Sequence, residues 1–403
     1  MPHTDPRIAA KDPGFTRALI AWFCVALAAF AQLYSPQAVL PAIAADLSID
    51  ADLSAWAVGA TAIGVAVAVL PWARASDKLG RIRAAKISAA AAAILGLAAP
   101  FAQDFTTFLV IRVACGIAIA GVPAIAIPAI TETVQPGTLG RAVAAFVSGN
   151  ALGGLAGRVL TGPVSDALGW RIGILAVSIV ATLATVVFIT TVPATRVPTG
   201  PGVSIARGII ANFRNPGVGT ILIQGFLLMG AFTVIYNFVG FRLEASPFHL
   251  TLTQVSWLFY SYLLAAIAPQ LTWRLAARSS PTAVFLGCTA LVLASLPLML
   301  SPSLPAIASG VVLFTAAFFG AHGIASGLVG MRAAGRPAAS QAPALYNLSF
   351  YAGTGFFSWL GGLIYSASGW NGTVLGSAIA IAAAALLAWG YAARRGGVLR
   401  ADA

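Results

Sequence analysis

Charge is what this sequence has least of. Acids and bases together make up 8% of its 403 residues, with eleven acids, three lysines and three histidines. Ordinary globular domains carry about 25%, so a chain this poor in charge cannot cover a soluble surface. Cysteine is equally sparse. Cys24, Cys115 and Cys288 each fall inside an apolar stretch, which excludes a disulfide framework and offers no metal-ligand spacing. Also missing are the arrangements that carry chemistry in a membrane: there is no H-E-x-x-H, no G-x-S-x-G, no His/Cys pair and no pair of carboxylates within an apolar segment. An enzyme is therefore not expected. The phosphate-binding pattern G-x-x-x-x-G-K-[ST] is absent too, which excludes ATP as a direct energy source, and no cofactor is implied. Finally, no cleavable signal is expected, because the first apolar run follows Arg17 and continues well past a short signal core.

What fills the chain instead is apolar: 59% hydrophobic residues, a mean hydropathy of +0.90, 41 glycines and 23 prolines. Lipid cannot satisfy backbone groups, so a spanning chain is either helical or a closed barrel. Barrel strands alternate over about 10 residues. The apolar runs here are longer, do not alternate, and match the roughly 20 residues a helix needs to cross a bilayer. The fold class predicted is all-α integral membrane, with twelve spans at about 17–43, 53–75, 84–101, 107–131, 142–165, 170–192, 217–240, 253–274, 282–301, 304–330, 341–367 and 371–393. The longest polar connection, "PATRVPTGPGVSIARGIIANFRNPG", follows the sixth span. It divides the chain into a six-helix bundle over 1–192, a linker over 193–216 and a second six-helix bundle over 217–403.

The net charge of +12 would suggest nucleic acid in a soluble protein, but here the bases sit in the connections. With the N-terminus inside, nineteen basic residues fall on the cytoplasmic side and only Arg171 and Arg242 on the outer side. By the positive-inside bias both termini are cytoplasmic. Arg112 and Arg158 lie within spans. The partners implied are lipid and a small molecule, not nucleic acid, and the chain is expected to be monomeric.

The two halves echo one another. "GPVSDALGW" (162–170) and "GLIYSASGW" (362–370) align at a spacing of 200 residues, which also pairs Gly153 with Gly353. Parallel repeats of this kind are a mark of transporters built from two six-helix halves.

Six charges crowd into "PWARASDKLGRIRAAK" (71–86), one of them an acid. The stretch resembles the signature loop of the major facilitator superfamily, G-x-L-a-D-R-x-G-R-[RK]-x-[RK], at Asp77, Lys78, Gly80, Arg81 and Arg83, with Ala73 and Ile82 departing from it. In that family the acid joins a charge network against the eleventh span and latches the cytoplasmic side, so the resemblance implies gating by Asp77, Gly80, Arg81, Arg83 and Arg141. Ser340 is the expected cap of the eleventh span. At the end of the second span Asp77 opposes its own helix dipole, and Arg81, Arg141 or a neighbouring helix N-terminus would have to stabilise it.

Charge inside a membrane is costly and functional by default. Arg112 in "LVIRVACGIAIAG" resembles the family's R-x-x-Q-G-x-G, with Cys115 in place of glutamine. The family links that arginine to proton coupling, while its position near the outer surface also suits a snorkelling side chain. Gly149, Gly153 and Gly157 repeat at four, a small-residue face that lets another helix come close. They resemble G-x-x-x-G-P-x-x-G-G, the family's fifth-span motif associated with antiporters, but Arg158 stands at the proline. Asn150, Gly154 and Arg158 share one stripe, suited to a polar or anionic ligand or to a helix terminus. His322 in "FFGAHGIASG" shares a face with Thr315 and Ser326 and is the titrating group nearest a path. Gln32 and Tyr34 beside Pro36, Tyr236 and Asn237, and Asn347 with Tyr351 and Thr354 complete the polar residues inside spans.

"GNALGGLAGR" and "FFGAH" look like a bacterial subgroup of inner-membrane transport or efflux proteins of the drug:proton antiporter type. The resemblance implies a secondary transporter driven by the proton gradient, exporting small amphipathic compounds from the bacterial inner membrane. The arginine at 158 keeps open proton-linked uptake, or uniport, of a small polar or anionic solute.

Overall fold

A computed structural model describes residues 6–194, 205–336 and 339–398. Arg196, Arg400 and residues 195–204 of the proposed linker lie outside the described residues, as do the side chains of Arg207 and Ser340. The described chain is helical apart from one isolated parallel bridge pairing Ile8 with Val134.

The helices follow from apolar runs punctuated by proline, glycine and capping side chains. α1 (Pro13–Tyr34) stops where Pro36 removes an N–H, passes through a 3-10 turn at Ser35–Val39 and resumes as α2 (Leu40–Asp46). α3 (Ala51–Ser54) leads into α4 (Trp56–Leu79). Gly80, at φ 86°, reverses the chain into α5 (Arg81–Ala98) in a conformation that L side chains rarely adopt. Asp104 caps α6 (Phe105–Ile119) by accepting from the Thr107 amide at 2.8 Å. α7 (Gly121–Thr133), α8 (Leu139–Leu168) and α9 (Trp170–Thr191) follow, the last two joined through Gly169. α10 (Ile205–Arg214) leads to α11 (Pro216–Glu244), capped by Asn215, and then α12 (Leu252–Trp257), capped by Thr251 and Gln254. α13 (Ala268–Ala276), α14 (Pro281–Met299), α15 (Leu304–Ala333) and α16 (Ala342–Ala393) complete the chain.

Ten helical stretches among the described residues are long and apolar enough to cross a membrane. The 52-residue α16 is two helices: Gly369 breaks it at φ 60°, ψ −155°. Unbroken, it would run about 78 Å, far beyond a bilayer. The eighth expected span, 253–274, needs correction. It consists of α12, a 3-10 stretch over Leu258–Ala266 and α13, not one α-helix. Pro269 has no N–H for the carbonyl four residues back, which interrupts the α pattern. The cap expected at Ser340 is also displaced, since α16 starts from Gln341 as N-cap, with no side-chain bond.

Packing separates two units. One comprises Met1–Pro36 and Ala60–Gly202, the other Gln37–Gly59 and Val203–Ala403. In a membrane apolar burial does not drive helices together, so close backbone approach has to. In the first unit α8 lies on α1. Gly149, Gly153 and Gly157 sit against the carbonyls of Phe23, Leu27 and Ala31, where an added Cβ would collide. In the second unit Gly353 meets the Phe226 carbonyl of α11 in the same manner. The 200-residue repeat thus recurs as geometry: Gly153 and Gly353 each admit a neighbouring backbone, and Gly169 and Gly369 each take positive φ at a helix junction.

Candidate functional site

The charged loop is built on Gly80. Its positive φ turns α5 so that Arg81 points back along the end of α4. Arg81 Nη1 lies 2.7 Å from Asp77 Oδ1 and donates to Ser76 Oγ at 2.6 Å, while its Nε donates to Glu132 Oε1 at 3.2 Å. Asp77 is therefore not the only acid here. Glu132, at the end of α7, is 4% exposed against 56% for the Asp77 side chain. The buried acid, Glu132, lies outside the charged loop's motif, 51 residues along the chain from Arg81. Arg141 makes a different contact, lying over the Phe15 ring at 5.1 Å. Arg83 is exposed.

Arg112 does not snorkel. It is 1% exposed and donates to the Gln32 and Leu33 carbonyls at 2.9 and 2.8 Å. The reason lies in Pro36. An α-helical bond to the Gln32 carbonyl and a 3-10 bond to the Leu33 carbonyl would both come from the N–H of residue 36, which proline lacks. The guanidinium supplies both donors. Beside it the Cys115 thiol donates to Gln32 Oε1 at 3.6 Å, and Gly96 leaves room for the Gln32 amide.

Arg158, also 1% exposed, folds back on its own helix to the Gly154 carbonyl and lies 4.0 Å above the centre of the Tyr34 ring. Gly154 makes this possible, as a Cβ there would stand 3.2 Å from the guanidinium. One turn before Gly154, Asn150 Oδ1 is buried with no hydrogen-bond partner among the described residues. The stripe read from the sequence thus gathers a guanidinium, an amide and an aromatic face.

In the second unit, half-buried His322 accepts or donates at Nδ1 with the Tyr346 hydroxyl at 2.9 Å. Its ring stacks with Phe318 at 6.0 Å and Tyr346 at 5.5 Å, and lies 4.9 Å from Phe350. Its Nε2 has no protein partner among the described residues. The partner that the sequence did not reveal is Tyr346, next to the residue singled out there. Asn347 is exposed, while Tyr346, Tyr351 and Thr354 are buried. One residue along a helix turns 100°, and on the second turn of α16 that places the tyrosine inward and the amide outward. Thr315 bonds Tyr236, whose hydroxyl also lies 2.8 Å from Ser261 Oγ, whereas Ser326 is exposed.

Asn237 is the centre of a third arrangement in this unit. Its Oδ1 accepts from Gln37 Nε2 at 2.7 Å, and its Nδ2 donates to Ser358 Oγ at 3.2 Å. Gly59 packs against Ser358, and Gly362 against Asp52. Residues 37–59 are bound to α11 and α16 by these contacts.

Ten long apolar helical stretches among the described residues, a charged turn of this pattern and buried arginines within the helices can be set beside known proteins. A profile described as Major Facilitator Superfamily matches residues 21–335. The chain belongs to the major facilitator superfamily. It is 30% identical over 385 residues to the MFS-type transporter YybF of Bacillus subtilis (strain 168), covering 95% of each chain. It is also 30% identical over 364 residues to the inner membrane transport protein YnfM of Escherichia coli (strain K12), covering 89% of this chain and 87% of that one. Among solved structures, a bacterial homolog to the human lysosomal transporter Spinster matches with a TM-score of 0.77 at 14% identity, covering 98% of each chain. A peptide transporter POT in complex with sulfate matches at 0.75 and 14% identity, covering 95% of this chain and 96% of that one. The likeness to these structures is one of fold. As a member of the superfamily the chain is a multi-pass membrane protein and a secondary transporter of the alternating-access kind, with a small molecule as substrate.

Proposed function

We propose that this superfamily member exports small amphipathic compounds in exchange for protons, as a monomer with twelve spans in the bacterial inner membrane and both termini in the cytoplasm. The observation that carries the reading is the His322 site. An imidazole whose Nε2 has no protein partner among the described residues stands among Phe318, Tyr346 and Phe350. An aromatic wall accepts flat apolar bodies, and an imidazole nitrogen can take up a proton, so one site can hold an amphipathic compound or a proton. Asp77, Arg81 and Glu132 act as the cytoplasmic latch, which opens and closes as the ion pairs break and re-form. Asn237, Gln37, Gln32 and Tyr34 shape the path.

A second reading is supported by Arg158. A buried guanidinium over Tyr34, on the same helix stripe as an Asn150 oxygen with no partner among the described residues, favours a small anionic or polar solute taken up with protons or by uniport.

Liposomes with a trapped pH dye separate the readings. Proton movement that depends on added lipophilic cations and vanishes in His322→Gln supports antiport. External alkalinisation on adding an anion or sugar, lost in Arg158→Gln, supports symport. Substrate passage without proton movement leaves uniport and removes His322 from coupling.

A further inference from the structure

The two units treat the bases at their loop-rich ends differently. In the first, Asp77 and Glu132 hold Arg81. In the second, residues 245–398 contain no acid at all, yet they carry Arg274, Arg278, Arg332, Arg336, Arg394 and Arg395. The described acids of this unit, Asp46, Asp50, Asp52 and Glu244, all fall within 37–59 or at the end of α11.

Three elements bring part of this charge together. Arg332, near the end of α15, lies 4.2 Å from the centre of the Tyr391 ring, and Arg395, just past α16, lies 5.5 Å from it. Asn215 donates to the Arg332 carbonyl at 3.1 Å, and Gly217 admits the Tyr391 hydroxyl. Arg214 directly precedes Asn215 and is exposed at the end of α10.

α10 itself has two faces. Gly208 packs against the Gln341 side chain, and Asn212 is buried, with its amide donating to the Gly208 carbonyl at 2.8 Å. On the opposite side Ile210 and Phe213 are 52% and 50% exposed, in line with Arg214. A short helix fixed by its polar face, with apolar and basic residues outward, suits the boundary between headgroups and acyl chains. Arginine suits phosphate, because its planar fork meets two oxygens at once.

We infer that the Tyr391 cluster, through Arg395 and together with the exposed Arg214, binds the phosphodiester headgroup of an anionic phospholipid of the inner leaflet, and that Ile210 and Phe213 seat α10 in the leaflet beside it. The inference rests on the cytoplasmic orientation proposed above. It does not depend on substrate or direction.

The test uses the full-length protein purified in detergent, titrated with dioleoyl phosphatidylglycerol or dioleoyl phosphatidylcholine and read by native mass spectrometry. The wild type is expected to hold phosphatidylglycerol at least about ten-fold more tightly. Arg214→Gln with Arg395→Gln should weaken phosphatidylglycerol about thirty-fold and leave phosphatidylcholine unchanged, since each basic residue near an anionic surface contributes a factor of about five. Arg214→Lys with Arg395→Lys should recover most of that loss. Arg17→Gln with Arg74→Gln, which removes two exposed bases of the first unit, should change binding less than about two-fold. Equal affinity for the two lipids in the wild type would overturn the site. So would equal loss in the control pair, which marks diffuse attraction, or failure of the lysine pair to recover, which marks damaged packing. Orientation is checked separately with Ala334→Cys in a cysteine-free background. Labelling by an impermeant maleimide only from the cytoplasmic face supports the inner leaflet, and labelling only from outside overturns it, while the transport assay stands on its own.

Discussion

Arg112 stands in for the amide that Pro36 lacks. Its two bonds go to the carbonyls of Gln32 and Leu33, the two that residue 36 would otherwise serve. A buried carbonyl left unpaired costs about 1–3 kcal/mol. The Gln32 carbonyl keeps the Ser35 hydroxyl as a donor at 3.2 Å, so Arg112→Leu strands the Leu33 carbonyl and should lower the stability of the detergent-solubilised protein by about 1–3 kcal/mol. Pro36→Ala should return about 1 kcal/mol in the double variant by restoring one N–H. Denaturation curves of the four proteins in the cycle measure this, and a strictly additive result would show that the two residues are not coupled.

The two acids around Arg81 should separate by burial. Asp77 is half exposed, so Asp77→Asn should cost under about 1 kcal/mol, with normal insertion and impaired transport. Glu132→Gln loses a partner that is 4% exposed and should cost about 1–3 kcal/mol. Melting temperature and transport rate measured on both variants check the contrast. Full transport by well-expressed Asp77→Asn would leave that residue with topology alone.

The glycines at spacing 200 should fail in matched pairs. Gly153→Ala and Gly353→Ala each push a methyl into a neighbouring carbonyl, at about 1–3 kcal/mol. Gly169→Ala and Gly369→Ala meet open space but an unfavourable φ, at about 1–2 kcal/mol. Thermal stability of the four single variants in one detergent measures the pairing.

At the His322 site, Tyr346→Phe removes the partner of Nδ1 while keeping the aromatic wall. It should leave binding of an amphipathic compound within about three-fold, while the pH profile of transport moves. His322→Gln should flatten that profile. Rates measured from pH 5 to 8 in vesicles distinguish the two, and an unshifted profile in both variants would place the pair in packing.

One pH effect follows from a group outside the spans. The Thr107 hydroxyl and amide donate to the Asp104 carboxylate and hold its pKa below the ordinary 3.8. A lowered folded value means that this cap stabilises α6 fully above the ordinary carboxylate range and loses that contribution as the pH falls through the folded value. The protection factor of the Thr107 amide, its exchange rate against the unstructured rate at the same pH, should therefore fall in acid, and Asp104→Asn should remove that fall. An identical acid limb in the variant would refute the assignment.

Much of this protein is decided along the chain. Apolar length, proline breaks and positive-φ glycines at Gly80, Gly169 and Gly369 are local, so the sequence by itself determines helices, reversals and the repeat. The stripe of Gly149, Gly153 and Gly157 was equally legible, because helical period alone puts it on one face. Local pattern misled at the eighth span, where hydropathy is continuous but Pro269 and the 3-10 stretch are not.

Only tertiary structure decided the pairings. Arg112 meets α1 from 80 residues away, Glu132 meets Arg81 from 51, and Gln37 meets Asn237 from 200. Polar residues in a span have few candidate partners, but which one is reached depends on how helices cross and rotate, and one residue of rotation was enough to exchange Asn347 for Tyr346. Periodicity fixes the face of a helix; the neighbour that covers that face is chosen by packing of elements far apart in the chain, and that choice leaves no local trace.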